Sequence, residues 1–70
     1  MQDVQKQIGR TIRKLRLKRK WTQAIFAERA GLNRAHVGEL ERGECNVTIH
    51  TLKTVADTLG VRIRDLIGRL

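Results

Sequence analysis

The chain is 70 residues long with 15 Lys+Arg against 7 Asp+Glu, a net charge of +8, and one cysteine. That length allows a single domain, residues 1–70, whose core is too small to waste a position. A lone Cys45 excludes an intrachain disulfide framework, and Cys45, His36 and His50 lack the spacing of a zinc site, so neither metal nor cofactor is expected. The apolar residues are scattered. No block of them could serve as a signal peptide or a membrane span, and the expectation is a soluble, cytoplasmic protein with no membrane partner.

The charge is unevenly spread. Residues 1–21 carry eight basic groups and one acid, residues 22–43 three of each, and residues 44–70 four and three. Such a basic segment is either an electrostatic footprint for nucleic acid or a solvated helix face, and charge alone does not choose between them.

In chain order, Val4, Ile8, Ile12 and Leu15 recur at helical spacing and predict a first helix over residues 3–19 with a basic outer face. Thr22 is a good N-cap for a second helix whose apolar stripe, Phe26, Ala27 and Ala30, stops at Gly31. Asn33 caps a third helix that ends at Gly43. Thr48 caps a fourth, with Ile49, Leu52, Val55, Ala56 and Leu59 inward and Gly60 as its stop. A last segment, 63–69, presents Ile63, Leu66 and Ile67. There is no strand signal, so the chain is expected to be all-α with five short helices. The few residues around Gly31 between the second and third helices form the pattern of a helix-turn-helix unit.

Within the third helix, RAHVGELER, a rotation of about 100° per residue places Val37, Leu40 and Glu41 on one arc. The opposite arc is centred on Ala35, Gly38 and Arg42, with Arg34 and Glu39 at its edges. A solvated face would be filled with Lys, Glu and Gln; this one has two of the smallest side chains along its middle. Gly38 lowers helix stability by roughly 1 kcal/mol relative to Ala. Two explanations stand: the helix backbone approaches the floor of a DNA major groove there, or Gly38 packs against a neighbour.

The stretches IGRTIRKLR (8–16) and WTQAIFAERAGLNRAHVGELERG (21–43), followed by TIHTLKTVADTLGV and RDLI, resemble the Cro/cI-type helix-turn-helix family of phage repressors and their bacterial relatives. The resemblance implies a five-helix, lambda-repressor-like DNA-binding domain. The protein would be a transcriptional regulator that binds a near-palindromic operator in double-stranded DNA as a homodimer. Carried onto this chain, it makes Arg34, Ala35 and Glu39 the base-reading positions, and the helix face sets Gly38 among them as the point of close approach. Arg34 is suited to guanine O6 and N7, and Glu39 to cytosine N4. It places Thr22, Gln23, Arg42, Asn46 and Thr48 along the DNA backbone, with His36 facing either a phosphate or solvent. Arg16 and Glu41 correspond to a family ion pair, in which Arg16 can still offer an N–H to a phosphate. Lys20 stands where a Gly is common, Ile25 where a polar residue is usual, and Glu44 where a Lys or Arg is frequent. Trp21 is expected to pack over the core edge.

The segment GLNRAHVGELERGECNVTI looks most like the small controller proteins of restriction-modification systems, although Ala35-His36 replaces their usual Thr/Ser-Tyr. Val61, Ile63, Leu66, Ile67 and Leu70 are many apolar residues for so short a tail; the core can take some of them, and the set supplies the expected dimer interface. No small-molecule site is evident, which leaves autoregulation through the protein's own concentration. No nucleophile–base pair or phosphate loop suggests an enzyme. The rival expectation is an antitoxin, which would bind a toxin partner as well as its own operon.

Overall fold

The computed structural model describes residues 3–68, and these form five helices. They are α1 (Val4–Lys18), α2 (Gln23–Ala30), α3 (Arg34–Arg42), α4 (Ile49–Leu59) and α5 (Ile63–Ile67). Asp3, Thr22, Asn33 and Thr48 cap the first four, each side-chain oxygen accepting the N–H of the residue three further on. At α5 the Asp65 carboxylate accepts the Arg62 N–H at 2.9 Å.

The helix ends share one device. After α2, α3 and α4 the chain turns through Gly31, Gly43 and Gly60, with φ of 69°, 71° and 71°. The paired backbone bonds of a Schellman motif close each turn, for instance Leu32 N–H to Ala27 O at 2.9 Å with Gly31 N–H to Glu28 O at 3.3 Å. The end of α1 has the same bonds, from Lys20 to Leu17 and from Trp21 to Arg16, but the left-handed position is occupied by Lys20 at φ 59°. A left-handed backbone at that position favours a Gly, the residue that the family resemblance leads one to expect there.

The core is Ile8, Ile12, Phe26, Ala27, Val37, Leu40, Leu52, Val55, Ala56, Leu59 and Leu66. α1 packs against α3, α4 and α5, α2 against α3 and α4, and α4 against α5. Two apolar residues depart from the expected stripes: Val4 is 41% and Ile49 71% exposed. Both lie in the first turn of their helix, which overhangs the core although the periodicity continues through it. The last helix is also shorter than the expected 63–69, ending at Ile67 with Gly68 as its C-cap.

α1 crosses α3 at Gly9. A Cβ there would lie 2.4 Å from Leu40 O and 2.6 Å from Glu41 O, both rigid helix backbone. One turn earlier, Lys6 crosses the end of α3, where a Cβ on Gly43 would meet the Lys6 backbone at 2.7 Å. The two glycines let α1 lie directly on the C-terminal half of α3. Trp21 is half-buried at the core edge, 6.1 Å from the Phe26 ring, with the Arg19 and Arg29 guanidinium groups 5.4 and 5.0 Å from its centroid. Among the described residues, no helix is long and apolar enough to cross a membrane.

Candidate nucleic-acid interface

α2 and α3 are set at a fixed angle by the Gly31 turn and the Asn33 cap, and beneath them lies a buried polar cluster. Arg16 donates from Nε to Glu41 Oε2 at 2.5 Å, from Nη2 to Glu41 Oε1 at 3.0 Å, and from Nη1 to the Trp21 carbonyl at 2.8 Å. The side chains of the pair are only 8% and 3% exposed. Glu41 Oε1 also accepts from Gln23 Nε2 at 3.0 Å. One carboxylate thus joins α1, the first turn of α2 and the end of α3, fixing the amide that opens α2. Burying such a pair contributes little net stability, but removing one partner leaves an uncompensated charge.

On the surface above, Arg34, Ala35 and Glu39 are exposed along the outward side of α3, and His36 is half-buried at its edge. Gly38 is buried, in keeping with the second of its two explanations, contact with a neighbour. Its cover is Arg42, whose guanidinium folds back one turn over it while Nε contacts Glu44 Oε1 at 2.9 Å. Thr22 and Thr48 are exposed caps. Asn46 is exposed in the loop after α3 and accepts a hydrogen bond from Gln5 Nε2, which ties that loop to the start of α1.

Two expected positions lie elsewhere. Arg16, expected both in the ion pair and on a phosphate, is enclosed by Glu41 and Trp21, so it acts as a strut beneath the site and not as part of its surface. Leu66, expected at a dimer interface, is 0% exposed, because a domain of this size needs α5 to close its core. Val61, Ile63 and Ile67 remain half-buried against the core edge, with Val61 and Ile63 lining an open cleft with Lys53, Ala56, Asp57 and Arg62. Leu70 lies outside the described residues.

Cys45 is half-buried in the loop after α3. Burial chiefly, then the Glu39 and Glu44 carboxylates, pushes its thiol pKa up. Three contributors were not singled out from sequence. Gly9 was detectable, since a Gly inside a helix carries the same cost there as at 38. Gln5 and Arg19, whose Nη2 donates to Leu59 O at the end of α4, left no sequence signal because their partners are about 40 residues away.

A five-helix fold with a capped two-helix unit of this geometry is that of helix-turn-helix proteins. The chain belongs to the HTH_3 helix-turn-helix family, which it matches over residues 12–66. It is similar to the immunity repressor protein of Bacillus phage phi105, 36% identical over 61 residues, 87% of this chain but 42% of the phage protein. The chain therefore spans about two fifths of that relative's length. Control protein C.SmaI of Serratia marcescens is 33% identical over 67 residues, 96% of this chain and 80% of that one. The crystal structure of the restriction-modification controller protein C.AhdI from Aeromonas hydrophila superposes with a TM-score of 0.84 at 33% identity, covering 87% of this chain and 92% of the other.

Proposed function

We propose that the chain is a sequence-specific, DNA-binding transcriptional regulator that binds a near-palindromic operator as a homodimer and regulates its own gene, in the manner of a restriction-modification controller. The observation that carries this reading is the outward side of α3. It presents Arg34, Ala35 and Glu39 to solvent from a helix held rigidly against α2 and α1. The similarity to control proteins over 80% and 92% of their length supports the choice of role.

In this reading α3 lies in the major groove. Arg34, at its first turn, contacts guanine O6 and N7, while Glu39 accepts from cytosine N4. Ala35 keeps the surface low. Gln23 spends one amide hydrogen on Glu41 and has a second for a phosphate at the start of α2, where free backbone N–H groups also attract an anion. Thr22, His36, Asn46 and Thr48 flank the same backbone. Dimerisation uses the α4–α5 edge with Val61, Ile63 and Ile67, setting two reading helices about 34 Å apart.

Selection of duplexes from a randomised pool tests this. The expected result is a motif of two inverted half-sites about one helical turn apart. Arg34→Ala should then lose about 10-fold or more on the selected duplex and relax one base position per half-site. Gln23→Ala should weaken selected and scrambled duplexes alike. A pool with no enriched motif would contradict the reading.

A further inference from the structure

Gly38 has no steric role in the fold. The three heavy atoms nearest to a Cβ there all belong to the Arg42 guanidinium, with Nη1 at 2.9 Å and Cζ and Nη2 at 3.6 Å. Gly9 is the contrast, because its missing side chain is demanded by the carbonyls of α3. The absence of a side chain at 38 thus makes room for the end of one particular residue.

That residue is placed unusually for a phosphate contact. Helical side chains lean toward the N-terminus, and Arg42 follows this to bring its guanidinium back over the preceding turn, onto the middle of the outward side of α3. A phosphate-directed arginine at a helix end would extend outward from that end. The Nε edge is engaged by Glu44 at 2.9 Å, leaving Nη1 and Nη2 as an end-on pair of donors. A guanidinium already paired with a carboxylate adds little to general attraction for DNA. Its planar, two-donor end retains its fit to one acceptor pair, guanine O6 and N7.

We propose that Arg42 is a specificity-determining residue: Gly38 is the seat on which its guanidinium lies along the reading face, Glu44 holds it there, and it reads a guanine edge end-on. The inference rests on α3 being the reading helix. Arg42 thereby supplies a reading group to a stretch of helix whose own side chains, Ala35 and Gly38, are too small to provide one.

The test uses the whole chain and the duplex that it selects. Arg42→Ala should lose about 10-fold or more on that duplex, and less than about 3-fold on a scrambled one. Reselection with this variant should show one base position per half-site relaxed, distinct from the position lost by Arg34→Ala. Gly38→Ala displaces only a flexible side-chain end and raises helix propensity, so it should stay folded by circular dichroism and still lose specific affinity. In a double-mutant cycle the Gly38→Ala loss should largely vanish in the Arg42→Ala background. Equal losses on both duplexes for Arg42→Ala would make it a phosphate contact and overturn the proposal, and so would additive losses in the cycle. If Arg34→Ala also leaves discrimination intact, the reading-helix assignment itself fails, and the inference with it.

Discussion

At the scale of single residues, backbone geometry sets the strongest constraints. Gly9→Ala should destabilise the fold by about 1–3 kcal/mol or more, because the colliding atoms are carbonyls of a packed helix. Urea denaturation with unchanged stability would contradict the close crossing of α1 and α3. Lys20→Gly should act in the other direction. The left-handed backbone costs a non-glycine residue about 1–2 kcal/mol, partly offset by the greater chain entropy of glycine when unfolded, for a net gain of up to about 1 kcal/mol. The readout is a raised Tm. Cys45 has a raised thiol pKa, so it carries less thiolate at any given pH than an unhindered cysteine. Its alkylation rate should rise with pH along a curve displaced to higher pH than that of the denatured chain. The unfolded thiol ionises first, so stability should also decline slightly as pH climbs from the unfolded pKa toward the folded one. A curve displaced to lower pH would contradict the buried, carboxylate-flanked setting.

At the scale of elements, what was legible in the sequence was what local chemistry decides. Thr22, Asn33 and Thr48 marked helix starts, and Gly31, Gly43 and Gly60 marked ends, because caps and left-handed turns depend on residues within one turn of each other. The opposed arcs of α3 followed from periodicity alone. What required the third dimension was illegible for the same reason. The exposure of Ile49 and the full burial of Leu66 depend on where neighbouring helices begin and stop, and the cover over Gly38 depends on the rotamer of Arg42. The Arg16–Glu41 pairing entered through family resemblance. Its connection onward to Gln23 is a finding of the structure. Glu41→Ala leaves a buried guanidinium unpaired and should cost about 3–5 kcal/mol, whereas replacing the pair together, Arg16→Met with Glu41→Leu, should restore much of it. The double variant should nevertheless bind DNA more weakly, since Gln23 has lost the acceptor that orients it.

At the scale of the whole molecule, the proposed function assigns attraction without choice to the net charge of +8, and choice to the outward side of α3. The two are separable because they depend differently on salt and on sequence. The proposed dimer belongs to this scale as well. Sedimentation at rising concentration should show a monomer–dimer equilibrium, and a charge placed at Ile67 on the α5 edge, Ile67→Lys, should shift it toward monomer while the α1–α3 framework stays folded. The measurement that bears most directly on the account is titration of the protein onto its selected duplex and onto a scrambled one, at two salt concentrations. The account predicts a specific advantage of about 10³-fold or more, with both affinities falling steeply as salt rises. Equal, salt-sensitive binding to both duplexes would contradict it, leaving a basic helical protein that holds DNA without reading it.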